Sequence, residues 1–528
     1  DIYCSLPDRK GKPAGMIYLL FNASSAGKDK VLASNGGNAT NKNWEVKYYE
    51  NNSNITGFTG THPCGGGSGV NTDRYITLTV KERKQIWLNL WADAADTQVK
   101  IVSGSNEKTV TVGDKWTEWK DYTAGAATMT IYGNVRKLDC SNNNTNITGL
   151  DASHNAQLQE LLCYSNSLTS LDLSHNTQLK VLGCFANSIT SLDVSHNAQL
   201  TELDCSENKI SSLDVSKNTQ LVKLFCLKNS ITTLDVSHDT QLTSLNCSEN
   251  KISSLDVSKN VKLEKLHCNK NALTSIDVSK NLQLTGLDCS ANKLKAIDVS
   301  KNTVLEWLYC FDNSITSIDV KNNTQLKNLR CFNNSLATLD VSKNTELEWL
   351  YCYGNSLASI DISKNTQLKD FICYGNKFTT ASLDDIYCSL PDRNGKATGI
   401  IRPVLDASAP DNSKALASNG KNATDKNWKI MYYKGNSDIT GFTGTHQCGG
   451  GTGIDEAKDL PALAVYPNPV KDVLNIASDK PVHSIRIYNV YGTEVAHATD
   501  TNSIDVSHLP AGVYMVRADG KVARIIKE

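Results

Sequence analysis

The sequence predicts a mainly β protein whose centre is a solenoid of twelve stacked turns, and three observations predict it. A unit of about 21 residues recurs over 135–384, as in "LTELDCSENKISSLDVSKNTQ" at 200–220. Its apolar positions are fixed, in the pattern L-x-x-L-x-C-x-x-N-x-[LI]-x-x-[LI]-D-[VLI]-S-x-N-x-x. A turn this short has no means of burying its own apolar face, so neighbouring turns must stack. In-register strands then lie ~4.8 Å apart, and every repeated residue becomes a ladder.

The pattern is that of a leucine-rich repeat with cysteine at the third apolar position. Each ladder has a physical reason. Asn143, Asn166, Asn187, Asn208, Asn229, Asn250, Asn271, Asn292, Asn313, Asn334, Asn355 and Asn376 follow the short strand, where the chain turns sharply and leaves backbone groups without partners. An amide both donates and accepts, so it bonds such groups along the stack. Twelve of the sixteen cysteines, from Cys140 and Cys163 then every 21 residues to Cys373, occupy an apolar slot. A thiol is small and apolar enough to pack there. Parallel in-register side chains point the same way, which suits packing rather than bridging, and no Cys/His spacing resembles a zinc site. His154, His175 and His196 form a row, but the same slot holds Lys217, Lys259, Lys280 and Lys301 later, which marks a solvated edge. No metal or cofactor is expected.

The bulk properties exclude several classes of function. At 528 residues the chain exceeds one core, so several domains or an array are expected. A net charge of −1 with mixed signs gives no basic stripe for nucleic acid. There is no apolar run of membrane-spanning length. The start, "DIYCSLPDRK", is not a signal peptide. Nothing supports an enzyme: there is no Ser/His/Asp order, no convergent carboxylate pair and no phosphate loop, and the ladder aspartates (Asp172, Asp193, Asp214 and onward) are too repetitive for catalysis.

Residues flanking the inward Leu and Cys are expected to face solvent on the concave side, where such solenoids bind. Middle turns are small or polar there, with Glu202, Asp204, Ser206, Ser244, Asn246, Ser248, Gly286, Asp288 and Ser290. Toward the C-terminal end the character changes. Trp307, Tyr309 and Phe311 are followed by Arg330 and Phe332, then Trp349, Tyr351 and Tyr353, then Tyr374. A smaller apolar group, Leu162, Tyr164, Phe185, Phe225 and Leu227, lies near the start. Aromatics with an arginine in one patch are what binding surfaces present, to protein or glycan. The opposing expectation is that these rings shield the sheet or pack under a flanking cap.

Both ends of the solenoid need covers. Residues 71–134 alternate apolar and polar ("RYITLTV", "QIWLNLWA", "ATMTIYG"), which predicts a small antiparallel β unit before the first turn. After the last turn, residues 385–450 form a module that also occurs at 1–70, at an offset of 384: "DIYCSLPDR" recurs, as do "ITGFTGTH", Trp44 and Trp428. If the second copy caps a repeat block, the first is expected to cap another upstream, which would make this chain the C-terminal part of a longer protein. Disulfides Cys4–Cys64 and Cys388–Cys448, each spanning 60 residues, are expected within the two copies, in an oxidising extracytoplasmic setting. A polar linker, 451–463, precedes the last segment, 464–528.

Two resemblances follow from these residues. The cysteine- and asparagine-bearing repeat over 135–384 resembles the cysteine-ladder repeats of internalin J-like bacterial surface proteins, which implies this fold and an adhesive role. The last segment resembles the type A C-terminal sorting domain of type IX secretion cargo in Bacteroidetes. Tyr466, Pro467, Asn468 and Pro469 match the first motif, Gly492 the second, Gly512 and Tyr514 the third, and Lys527 the basic end. That resemblance implies an Ig-like β-sandwich handled by an outer-membrane translocon, a shuttle protein and a sortase that removes it. The cargo would then be anchored at the outer-membrane surface, where it is expected to act as an adhesin with a role in virulence or, alternatively, as a structural surface or biofilm-matrix component with no specific ligand. Gly492 and Gly512 are expected in tight turns with positive φ.

Overall fold

The computed structural model describes residues 6, 13–20, 31–32, 39, 44–56, 69–448, 463–478, 482–489, 493–518 and 521–528. Two compact units divide the chain, 1–446 and 447–528.

The first unit is dominated by one sixteen-stranded sheet. Its repeat strands begin with Val135–Asp139, followed by eleven strands of three residues, from Glu160–Leu162 to Asp370–Ile372. All pair in parallel and in register, so Leu203, Leu224 and Leu245 stand beside one another, as do Asp204, Phe225 and Asn246. One turn shows why the sequence folds this way. Leu200, Leu203, Cys205, Ile210, Leu213 and Val215 all point inward and are buried, each stacked on its equivalents in the turns before and after. All twelve ladder cysteines are free and fully buried. Burial pushes their thiols up, Cys205 to about 12, which leaves them protonated and unreactive.

The asparagine ladder works as its chemistry predicts. Asn208 donates from Nδ2 to the carbonyls of Cys184, Cys205 and Ser206 at 3.0–3.1 Å, and its Oδ1 accepts from the Ile189 N–H at 2.9 Å. A second asparagine ladder, within "LDVSKN", is buried more deeply. Asn218 is fully buried and donates to the Val194 and Asn197 carbonyls at 2.9 Å. The aspartate of the same motif closes a small turn, Asp214 Oδ1 accepting from the Ser216 N–H at 2.9 Å.

The ends of the solenoid are covered by sheet continuation. Antiparallel strands Gln85–Ala92 and Lys120–Thr123 extend the sheet beyond Val135–Asp139. A separate five-stranded sheet of the same β unit recruits Ile147–Asp151 from the first turn. At the other end, the capped helix Thr380–Ser389 leads to Gly399–Val404 and Trp428–Tyr432, which continue the parallel sheet. The first module copy repeats this pairing 384 residues earlier, with Gly15–Leu20 parallel to Trp44–Tyr48. In both copies an indole lies on a glycine of the neighbouring strand. A Cβ on Gly15 would fall 2.5 Å from Trp44, and one on Gly399 2.6 Å from Trp428. Cys388 and Cys448 are disulfide-bonded; Cys4 and Cys64 lie outside the described residues.

The second unit is a β-sandwich. A three-stranded sheet (Val465–Tyr466, Val473–Ile476, Ser503–Asp505) and a four-stranded one (Glu494–Thr501, Val482–Tyr488, Gly512–Ala518, Lys521–Lys527) share one core, including Leu474, Ile485, Ile487, Ile504, Val516 and Ile525. No helix among the described residues is long and apolar enough to cross a membrane.

Candidate functional site

The parallel register sorts the residues on the open face of the sheet into three files. All nine candidates named from the sequence fall into them, over the last four turns, and all are partly exposed.

The first file runs Trp307, Asn328, Trp349, Asp370. Trp307 leans back onto the preceding strand, where only glycine fits: a Cβ on Gly286 would fall 1.9 Å from its ring. His267 packs beside the same indole at 5.2 Å. Burial lowers the pKa of His267, against the opposing pull of Asp288, so the imidazole there is neutral. The Lys369 ammonium lies 5.3 Å over the Trp349 ring.

The second file runs Tyr309, Arg330, Tyr351. The Arg330 guanidinium is sandwiched between the two phenol rings, at 4.5 Å from Tyr309 and 5.0 Å from Tyr351. Each phenol is held from its far end. Asn328 donates to the Tyr309 hydroxyl at 3.2 Å, and the Tyr351 hydroxyl donates to Asp370 at 2.9 Å. Arg402 of the following strand pairs with Asp370 at 2.7 Å. Burial, reinforced by Asp370, pushes Tyr351 up to about 12, so it remains a donor across the physiological range.

The third file, Phe311, Phe332, Tyr353, Tyr374, is a continuous stack. Successive centroids are 4.2, 4.2 and 4.5 Å apart with interplanar angles of 10–13°. Tyr433 of the following module closes it at 4.9 Å from Tyr374. This file therefore follows the packing expectation: its ring faces are spent on one another and it ends beneath the cap. The early group is split likewise. Tyr164 stacks on Phe185 at 4.3 Å, while serine continues their file at Ser206.

A second aromatic group on this face escaped the sequence reading. Trp87 and Trp91 alternate with buried Leu88 and Leu90, so they share the side of Lys137 across the strand pair. Lys137 sits 4.0 Å over Trp91, which meets Trp116 edge-on at 6.0 Å, and Trp87 and Trp119 are exposed. The alternation "QIWLNLWA" carried the signal, but it served only to predict a cap.

In the last segment, the first and last of the motifs singled out from the sequence meet. The Asn468 amide donates to the Arg524 carbonyl at 3.0 Å and accepts from the Ile526 N–H at 2.8 Å. Tyr466 is exposed between Val465 and Pro467, and Pro469 leads into buried Val470. The Tyr514 hydroxyl donates to the Pro510 carbonyl at 2.9 Å, and Lys527 is buried with its ammonium on the Glu528 carbonyl. Gly492 lies outside the described residues. Gly512 corrects an expectation: it opens the strand Gly512–Ala518 and is not among the positive-φ glycines. Its place there is set by the strand's start rather than by a left-handed turn.

No curated protein matches the chain. Among solved structures, the functional domain of InlJ from Listeria monocytogenes, which includes a cysteine ladder, is 26% identical over 76% of this chain and 94% of that one, with a TM-score of 0.39. The internalin InlF from Listeria monocytogenes is 22% identical over 53% of this chain and 85% of its own, with a TM-score of 0.45. A leucine-rich-repeat protein from Leptospira interrogans is 20% identical over 45% and 72%, with a TM-score of 0.40. Residues 464–528 match the model of the secretion system C-terminal sorting domain. The chain thus joins a leucine-rich-repeat solenoid with a buried cysteine ladder to a segment, 464–528, that belongs to the secretion system C-terminal sorting domain family.

Proposed function

We propose that this is a cell-surface adhesin or interaction protein, which binds a protein or glycan through the open face of its last repeat turns. The observation that carries this reading is the confinement of Trp307, Tyr309, Arg330, Trp349 and Tyr351 to those turns. Equivalent positions in the middle turns, such as Ser244 and Asn246, manage with small polar side chains, so the sheet itself does not require aromatics. Trp, Tyr and Arg are the residues that dominate interface energetics. Phe311, Phe332, Tyr353 and Tyr374 support the site from beside it. Their closure on Tyr433 supports the second reading, in which the protein is a structural surface or biofilm-matrix component with no specific ligand.

The test is adhesion of the displayed protein to host cells, other bacteria or matrix. Replacing Trp307 and Trp349 with serine is expected to leave the fold intact and to reduce adhesion at least tenfold, since ~1.4 kcal/mol is a factor of ten. The pair Glu202→Ser and Asp204→Ser is expected to change it little. Equal adhesion by both would leave the architectural reading.

The sorting tail directs the chain through type IX export, with translocon, shuttle and sortase as partners of residues 464–528, followed by removal of the tail and attachment at the outer-membrane surface. The tail has its own core. Its deletion is therefore expected to trap the protein in the periplasm while leaving the melting temperature of the solenoid unchanged. Surface delivery without the tail would overturn this assignment.

A further inference from the structure

We infer that the sandwiched guanidinium of Arg330 is the anchor for a carboxylate on a protein partner, so that the ligand of this face is an acidic protein surface. The inference rests on the binding role proposed for the face and narrows it. Arginines on this sheet end differ in one respect. Arg402 is neutralised by Asp370, whereas Arg330 has no carboxylate within ion-pair distance among the described residues. Its Nε is buried with no hydrogen-bond partner. The nearest acids, one in a neighbouring file and one in Arg330's own, are already engaged, although the second still feels the guanidinium charge. Asp370 holds Arg402 and the Tyr351 hydroxyl, and Asp288, two strands away, accepts from the N–H and hydroxyl of Ser290. A cation fixed in one plane by two rings has little side-chain freedom left to lose, and its N–H fork matches the two oxygens of a carboxylate.

The same geometry disfavours a sugar. A saccharide stacks its C–H groups on a bare aromatic face, and here each ring has one face taken up within the protein. Tyr309 and Tyr351 both face Arg330, Trp307 lies on Gly286, and Trp349 carries Lys369. What distinguishes the face for a ligand is its ring edges and one guanidinium outside any ion pair among the described residues. Edges carry the positive end of the ring quadrupole, so they too favour carboxylate and carbonyl oxygens.

The experiment uses the full chain and three probes: poly-L-glutamate, heparin and neutral dextran, each titrated at low and moderate salt. Poly-L-glutamate is expected to bind. Arg330→Gln is expected to weaken it at least tenfold, Arg330→Lys severalfold because the planar sandwich is lost, and the remote Lys209→Gln not at all. Tighter, Arg330-dependent binding of heparin would assign the anion to a glycan and overturn the protein source. Poly-L-glutamate binding unaffected by Arg330→Gln, or absent altogether, would overturn the proposal. Adhesion separates it from the broader reading. If the Trp307/Trp349 variant loses adhesion while Arg330→Gln keeps it, only the carboxylate anchor fails; if neither loses adhesion, the face itself is not the site.

Discussion

Replacing Asn229 with leucine is expected to destabilise the folded chain by about 2–3 kcal/mol: the Ile210 N–H is orphaned, at roughly 1–3 kcal/mol for a buried backbone group, while the Cys205, Cys226 and Leu227 carbonyls each drop from two donors to one. Asn229 makes four bonds: Nδ2 donates to the carbonyls of Cys205, Cys226 and Leu227 at 3.0–3.3 Å, and Oδ1 accepts from the Ile210 N–H at 2.9 Å. Leucine keeps the number and branching of the side-chain heavy atoms, so the loss is chiefly one of partners. Because each turn contacts only its neighbours, amide exchange should accelerate around residues 205–230 before it does elsewhere. Aspartate at the same position separates the two halves of the amide. It keeps the acceptor for Ile210 but turns an ionised group toward three carbonyls, so it should be tolerated less well at pH 8 than at pH 4. Asn322→Lys, in an exposed slot that lysine fills in other turns, should cost under about 0.5 kcal/mol. Equal melting of Asn229→Leu and Asn322→Lys would show that water serves the turn as well as the amide does.

The contrast between these two asparagines shows how far the sequence was legible. Period, apolar pattern, the Cys ladder and the Asn143–Asn376 ladder could be read because each is a repeated local demand, and a strict repeat turns local demands into a fold. The role of the other asparagine row was not read. An Asn after "LDVSK" looks like a solvated turn residue, and only the inward path of the loop shows it to be fully buried, as at Asn218 and Asn260. The site was legible as composition and not as geometry. The sequence places nine residues on one face. Which of them stack on one another depends on the register between strands and on Tyr433, which arrives from a module about sixty residues beyond Tyr374. The four tryptophans of the first β unit were missed for a related reason, since it takes the pairing of Gln85–Ala92 with Val135–Asp139 to place Trp87 and Trp91 on the solenoid's face.

That buried row also contains its own exception, and Asp239→Asn is expected to stabilise the chain at pH 8 by roughly 2–4 kcal/mol and by far less at pH 4. Asn218 and Asn260, on either side of Asp239, each donate to two carbonyls from the same position. A carboxylate has no hydrogen to give, and both oxygens of fully buried Asp239 are without a partner among the described residues. Burial, with Asp235 and Asp214 adding repulsion, raises its pKa to about 7, against about 3.9 for a free aspartate. The sign follows from proton counts. Between pH 4 and pH 7 the folded chain binds a proton at Asp239 that the unfolded chain has released, so this group's contribution to stability is intact below about pH 4 and falls as pH rises through 7. The exposed aspartates of the repeat, such as Asp214 and Asp235, are shifted the other way by their Ser216 and Ser237 partners and favour folding as pH rises. The pH profile of one protein would mix the two trends. The difference between Asp239→Asn and the parent isolates one. It should be small at pH 4, rise through neutrality and level off above pH 8, with slower amide exchange in the variant confined to about residues 215–260. A difference independent of pH would mean that Asp239 is ionised throughout and hydrated in the fold, and that the row tolerates a charge at a position that ten buried asparagines fill elsewhere.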